Sequence, residues 1–253
     1  MRRAVEHFVA ARRRRPAWDR VPDAIAPSTI AEGYRLQAAV HDRLVAQGAS
    51  LRGYKIGSTS AAGQAAFGLT EPVYAGLFEQ DRFASLTEAL ARPMTMPAIE
   101  IEIAFVLARA TAKGASLPDL AAAVASCHIS CEIIDRRYGE PLQDTVGSLL
   151  ADDFFNVGFV LGTANPDWRA RDLGGLDAAI RLDDTVHTAN ASSVLSALGV
   201  LAWLVQKLPP DRPLKPGDVV LTGSIVPPKA VSPHTRSIEM TIEGFEPLRF
   251  ERS

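Results

Sequence analysis

The sequence predicts an α+β protein, and three observations carry that prediction. Two helical patterns mark the first fifty residues, strongly β-type runs dominate the rest of the chain, and the regular βαβ alternation of a doubly wound sheet is missing. Residues 1–50 read as an N-terminal helical segment and 51–253 as one mostly β unit. Residues 3 to about 15, rich in Ala, Val and Arg, form a first helix that Pro16 stops. Ser28-Thr29-Ile30-Ala31-Glu32 offers an N-cap with a following acid, and Ala31, Leu36, Val40, Leu44 and Val45 then recur at helical spacing until Gly48. Gly53 to Gly57 is a short strand, and Ser60 to Phe67 a short helix. Pro97 to Leu107 is the strongest β run in the chain. Leu117 to Ser126 reads as a helix with Pro118 in its first turn. Cys127 to Ile134, Val157 to Gly162 and Asp218 to Gly223 read as strands, Val194 to Leu208 as an apolar helix, and Ile238 to Phe250 as a hairpin around Glu243-Gly244.

The chain has 253 residues, enough for one large domain or a domain with an N-terminal extension. Lys plus Arg is 27 and Asp plus Glu 29, a balance that gives no electrostatic footprint for nucleic acid. The basic run Arg12 to Arg15 reads as a solvated helix face or a frayed terminus. No apolar stretch reaches the roughly 18 residues of a membrane helix. The first residues lack the apolar core of a signal peptide. Cys127 and Cys131, four apart, make neither a zinc site nor a disulfide framework, and core packing suits both. A cytoplasmic, reduced chain acting on a small molecule is the expectation, with no membrane or nucleic-acid partner.

Pro97-Ala-Ile-Glu-Ile-Glu-Ile-Ala-Phe-Val-Leu107 carries the first chemical signal. Residues two apart in a strand share a face, so Ile99, Ile101 and Ile103 lie on one side and Glu100 and Glu102 on the other. Two acids that close repel, and burial penalises either charge. A cation between them removes the conflict, and carboxylate oxygens select hard ions such as Mg²⁺ or Mn²⁺. Glu132, an acid inside the apolar run Ile129 to Ile134, is the best third ligand. The same spacing also suits the solvent face of an amphipathic strand. Lys55 sits between glycines in Gly53-Tyr-Lys-Ile-Gly57. It suits either binding of a carboxylate and proton transfer, or the surface of an edge strand. Lys215-Pro-Gly-Asp-Val-Val-Leu-Thr-Gly-Ser224 is a turn into an apolar strand, whose end at Thr222 and Ser224 offers hydroxyls and free N–H groups.

In this order, Tyr54-Lys-Ile-Gly57, Glu100-Ile-Glu102, Glu132-Ile-Ile-Asp135 and Pro216-Gly-Asp-Val-Val-Leu-Thr-Gly223 resemble the 2-keto-4-pentenoate hydratase and 4-oxalocrotonate decarboxylase group of the fumarylacetoacetate hydrolase superfamily. The resemblance runs from about Ile30 to the end. It implies a mixed β-roll core with flanking helices, usually in homo-oligomers. It implies Mg²⁺ or Mn²⁺ held by Glu100, Glu102 and Glu132, and a catalytic lysine at Lys55. It implies hydration of a 2-hydroxy-2,4-dienoate through the enolate of a 2-oxo acid, or decarboxylation of a 4-oxalocrotonate-like acid, with Thr222 and Ser224 lining the site.

The sequence departs from the group around the substrate's tail. Val73 replaces an acid in Glu71-Pro-Val-Tyr-Ala-Gly76. The group's Ala-Asp-Asn-Ala-Ser becomes Ala151-Asp-Asp-Phe-Phe155, putting Phe155 where a pocket serine stands, and its Gly-His-Pro becomes Ser192-Ser-Val194. Val73 and Phe155 therefore imply a more apolar pocket and a different or larger tail. No histidine stands in a recognisable pair with a glutamate, which ranks hydrolysis lower, and His128 reads as a core or supporting residue. A non-catalytic partner subunit would fit the lost tail residues. It would not need three clustered acids and Lys55.

Overall fold

The computed structural model describes residues 1–14, 20–136 and 144–252. Pro16, expected to stop the first helix, and Arg15 of the basic run lie outside the described residues. Helix α1 (Arg2–Arg14) and helix α2 (Ile30–Val45) come first. The predicted cap of α2 is present: the Thr29 hydroxyl accepts the Glu32 N–H, and the Glu32 carboxylate reaches back to the Ser28 N–H and hydroxyl. Strand β1 (Leu51–Gly57), helix α3 (Ala61–Ala66), strand β2 (Val73–Phe78), strand β3 (Arg82–Phe83) and helix α4 (Leu86–Leu90) follow. The centre of the chain is strand β4 (Pro97–Leu107), helix α5 (Leu117–Ala123), strand β5 (Val124–Asp135), helix α6 (Val146–Ala151) and strand β6 (Asn156–Asn165). Strands β7 (Asp177–Leu182) and β8 (Thr185–Asn190), helix α7 (Ala197–Lys207), and strands β9 (Val219–Leu221), β10 (Val226–Ala230), β11 (Ser237–Ile242) and β12 (Leu248–Glu251) complete it.

Two sheets result. The larger runs β2-β1-β9-β4-β5-β6-β3, with β10 also on β4; the smaller runs β12-β11-β7-β8. Pairing is antiparallel except between β1 and β9 and between β3 and β6, so the large sheet is mixed, and it curls into a half-barrel. Ile99, Ile101, Ile103 and Phe105 of β4, with Cys127, Ile129, Cys131 and Ile133 of β5, bury their side chains in the main core on its outer face. Cys127 and Cys131 are free thiols packed there, as expected, on one face of β5 by strand alternation. On the inner face Ala98 joins a small apolar cluster with Val73, Leu150, Phe154 and Phe155. Ala104, Phe159 and Leu221 join another. Between these apolar ends lie Glu100 and Glu102.

The differences from the sequence reading have local causes. The predicted helix 117–126 stops at Ala123, because Val124 and Ser126 pair with Leu107 and Val106; ladder bonding to a long partner strand outweighs the helical preference of the alanines. The strand expected over 218–223 is only Val219–Leu221, and the apolar helix expected from Val194 begins at Ala197, capped by the Ser196 hydroxyl on the Gly199 N–H. Strands β2, β3, β7, β8 and β10 went unpredicted; β10 carries Pro227 and Pro228, which only an edge position tolerates. Arg12 corrects the reading of the basic run as solvated. Its side chain is 7% exposed and pairs with Asp81 and Asp153, because α1 lies with that residue against the body of the protein. Phe8 and Val9 of α1 and Leu36, Val40 and Leu44 of α2 pack with Phe78 and Ala151. No helix of the described residues is long and apolar enough to cross a membrane.

Candidate active site

Antiparallel register sets the geometry. Glu100 stands directly across from Glu132, and Glu102 across from Ser130, so the three acids share the inner face. One carboxylate oxygen from each of Glu100, Glu102 and Glu132 lies within 4.8 Å of the others. Glu102 and Glu132 are fully buried, whereas Glu100 is partly exposed. Lys55 reaches the cluster from β1. Its position there follows from alternation, for Tyr54 and Ile56 turn to the main core on the outer face. The Lys55 Nζ lies 3.1 Å from Glu132 Oε1, donates to the Phe154 carbonyl at 3.0 Å, and sits 5.3 Å from the Phe154 ring centre.

The partners are distributed unevenly. Glu132 Oε1 also accepts the Asn156 side-chain amide at 2.9 Å, and Glu102 Oε2 accepts the Gly223 N–H at 2.7 Å. Glu102 Oε1 and Glu132 Oε2 are buried with no hydrogen-bond partner. Leaving a buried acceptor unpaired costs roughly 1–3 kcal/mol, and more when it is charged. Three carboxylates against one ammonium leave two negative charges, the charge a divalent cation cancels. The donor set therefore fits a hard divalent ion: all oxygen, three side chains, and one of them open to solvent.

The electrostatics follow from the same crowding. Burial, then Glu132, pushes the Glu100 carboxyl up to about 8, against the pull of Lys55. Burial, Glu132 and Glu100 push Glu102 well above the ordinary carboxylate value, opposed by the Gly223 N–H and Lys55. Burial works to lower Lys55, but Glu132, Glu100 and Glu102 together hold it above its ordinary value, so it is an ammonium donor.

The loop after β9 shows what was legible and what was not. The Thr222 hydroxyl donates to the Ile103 carbonyl at 2.9 Å and the Ser224 hydroxyl to the Val226 carbonyl at 2.5 Å, so both hydroxyls are turned to backbone. The group that enters the cluster is the Gly223 N–H. Gly223 has φ +96°, and a Cβ there would meet Thr59 at 2.5 Å, so only glycine lets the loop pass this close. Val73 and Phe155 lie in the apolar cluster beside the site, with Phe67 packed edge-on to Phe154 at 4.9 Å. His128 bonds Ser126 and the Gly162 carbonyl. Sequence reasoning missed Asn156, which opens β6 without any pattern of its own. It also missed the Phe154 carbonyl, a backbone group that no side-chain motif reveals, whereas the Gly223 N–H is one of the free N–H groups expected at this strand end and holds the Glu102 carboxylate.

A half-barrel mixed sheet with helices packed around it, carrying an acid and lysine cluster on its inner face, defines the class. Residues 69–251 match the fumarylacetoacetate hydrolase C-terminal family, and the chain belongs to that family. It is 32% identical over 216 residues to a 2-keto-4-pentenoate hydratase of Paraburkholderia phymatum, covering 81% of each chain. It is 32% identical over 212 residues to a 2-oxo-hept-4-ene-1,7-dioate hydratase of Escherichia coli, covering 79% of this chain and 78% of that one. In fold it is similar to a 4-oxalocrotonate decarboxylase from Pseudomonas putida G7, complexed with magnesium and adipate. The TM-score is 0.84 at 24% identity, over 97% of this chain and 94% of that one. A fumarylpyruvate hydrolase from Pseudomonas aeruginosa, in complex with Mn²⁺ and pyruvate, aligns at TM-score 0.59 and 17% identity over 79% of this chain and 88% of that one.

Proposed function

We propose that this chain is a divalent-metal-dependent hydro-lyase that adds water to a 2-hydroxy-2,4-dienoate. The observation that carries the reading is the pair of unpartnered oxygens, Glu102 Oε1 and Glu132 Oε2, inside a three-glutamate cluster beside Lys55. The hydratase names of the relatives support it. Glu100, Glu102 and Glu132 hold the ion, Mg²⁺ or Mn²⁺. When bound, the ion supplies Lewis acidity toward the 1-carboxylate and 2-oxygen of the substrate. Lys55, as an ammonium on that face, binds the substrate's carboxylate or moves the proton that ketonises the dienol, and water then adds at C4. The Gly223 N–H fixes the Glu102 carboxylate, and the Asn156 amide fixes that of Glu132. The loop Thr222 to Ser224 borders the head of the substrate, and Val73 and Phe155 its tail, which favours an apolar or larger tail than pentadienoate carries. Residues 1–50 form a helical segment on one catalytic unit of residues 51–253, in a cytoplasmic homo-oligomer.

Steady-state hydration of 2-hydroxypenta-2,4-dienoate, and of analogues with longer apolar tails, with added Mg²⁺ or Mn²⁺ tests this reading. No turnover above background on any of them would sink it. The apolar cluster at Phe154, Phe155 and Val73 favours a second reading, decarboxylation of a 4-oxalocrotonate-like acid, because a carboxylate that loses its hydration sheds CO₂ more readily. Release of CO₂ without uptake of water separates the two. A purified chain that binds neither ion would instead favour a non-catalytic subunit.

A further inference from the structure

Asp153, Phe154 and Phe155 have φ of +55°, +50° and +69°, three consecutive non-glycine residues in the left-handed region. L side chains crowd the backbone in that region, so surrounding structure must hold the turn. The turn is closed by the Asn156 N–H on the Asp153 carbonyl at 3.1 Å. It aims two groups at the acid cluster: the Phe154 carbonyl, on which Lys55 Nζ rests, and the Asn156 side chain, which bonds Glu132. The Phe155 carbonyl is taken by the Asp135 N–H at 3.0 Å.

The turn begins at a fully buried carboxylate that three different elements grip. Asp153 Oδ1 accepts from His41 Nε2 of α2 at 2.8 Å and from the Gly76 N–H of β2 at 2.8 Å, and Oδ2 pairs with Arg12 Nη1 of α1 at 2.7 Å. Gly76 is required for the fit, since a Cβ there would meet the His41 ring at 2.5 Å. Arg12 is further held against Asp81 and over the Phe78 ring, 5.3 Å from its centre.

We propose that Asp153 is a positioning residue for Lys55: Arg12, His41 and Gly76 clamp its carboxylate, and the clamp keeps the strained turn that presents the Phe154 carbonyl to the lysine. The first helix of the chain thereby becomes part of the apparatus that sets the reacting geometry. The proposal rests on the hydratase reading of the Lys55 site, so its test carries one readout that does not depend on turnover.

The variants are Asp153→Ala, Asp153→Asn, Arg12→Ala and Arg12→Lys in the full chain, each assayed well below its own melting temperature with saturating Mg²⁺. Asp153→Ala is expected to lower kcat by roughly 10²-fold with KM within a few-fold of wild type, the scale of a displacement of about 1 Å at a reacting group, and to lower Mg²⁺ affinity by no more than the roughly 10–100-fold expected for losing the Asn156 contact to Glu132. Arg12→Ala is expected to lower kcat by less, and Arg12→Lys to restore most of the loss. Independently of activity, hydrogen exchange at the Asn156 amide is expected to accelerate in Asp153→Ala and Arg12→Ala beyond any change in global stability. A lowered melting temperature with unchanged kcat and unchanged Asn156 exchange in the folded variants overturns the proposal. If Asp153→Ala does not fold, Asp153→Asn and Arg12→Ala give the same two readouts. Absence of turnover in the wild type together with faster Asn156 exchange in the variants would reject the hydratase reading while leaving the clamp standing.

Discussion

Two groups of buried acids lie one turn of chain apart and are built in opposite ways. Glu102 and Glu132 are crowded by Glu100, share a single lysine, and leave two oxygens without partners. Asp153 is as deeply buried, yet an arginine, a histidine and a backbone N–H meet its carboxylate. Burial works to raise both Glu102 and Asp153. At Glu102 the neighbouring acids add to the rise. At Asp153 burial is outweighed by His41, Arg12 and the Gly76 N–H, which hold the carboxyl below its ordinary value. The contrast separates a carboxylate whose counter-charge is already in the chain from one that waits for it. Saturated acids make structure, and starved acids make sites.

The largest effect that would break this comparison lies at Lys55. Lys55→Ala removes the one ammonium of the starved cluster, and turnover is expected to fall by roughly 10²–10⁴-fold, the range for a positioned proton-transfer group. Metal affinity should rise or hold in the same variant, since a positive charge beside the ligands is gone. Isothermal titration with Mn²⁺ alongside steady-state rates checks both halves. A collapse of metal binding on removing the lysine would mean that the cluster depends on it for structure.

The next effect concerns the ligands. Glu102→Gln keeps an acceptor for the Gly223 N–H but loses the charge, and metal affinity should fall by more than the roughly 10–100-fold typical of removing an outer partner. Asn156→Ala removes such an outer partner of Glu132 and should fall within that range. Binding should also release protons, because Glu100 reaches about 8 without the ion and must be a carboxylate to ligate. Affinity should therefore climb with pH as Glu100 and Glu102 ionise. Titrations in two buffers of different ionisation enthalpy measure the released protons, and a flat affinity between pH 6 and 8 would contradict the crowding argument.

How far the two acid groups were legible in the sequence depends on the range of the contacts. Glu100 and Glu102 were legible because strand alternation is local, and Glu132 because a lone acid in an apolar strand is anomalous. Lys55 was marked by flanking glycines. The saturated group was invisible: Arg12, His41 and Gly76 come from three elements and Asp153 from the turn between α6 and β6, and the reading of Arg12 as solvated failed for want of its distant partner. The strand end at Thr222 and Ser224 drew notice by its hydroxyls and free N–H groups, and the structure turns the hydroxyls to backbone and uses the N–H of the glycine between them. Strand β8 escaped because its alternation is weak, with exposed or half-exposed residues on both faces. Pattern reports what a residue does to its own element. It is silent where backbone groups and remote counter-charges complete a site.

The smallest effect is the sharpest test of the contrast, because it turns on sign. Asp153 is depressed in the folded state, so its charge stabilises the fold above the unfolded carboxyl value of about 3.9, and that contribution is lost as pH falls through the lower folded value. Asp153→Asn should therefore be less stable than wild type at pH 7, by roughly 1–3 kcal/mol for a partly broken buried network, with the two converging below about pH 4. Glu102 is raised in the folded state, so in metal-free protein the fold loses stability as pH rises from the unfolded value of about 4.3 through the folded one. Metal-free Glu102→Gln, which is neutral throughout, should then be more stable than metal-free wild type at pH 7, with the gap closing in acid. Saturating Mg²⁺ should erase that advantage in the wild type's favour, because only the wild type gains the binding free energy. Urea unfolding at pH 4, 5.5 and 7, with chelator and with Mg²⁺, reads all of these signs. If Glu102→Gln and Asp153→Asn shift metal-free stability in the same direction at pH 7, the two acid groups are not the opposites their contacts describe.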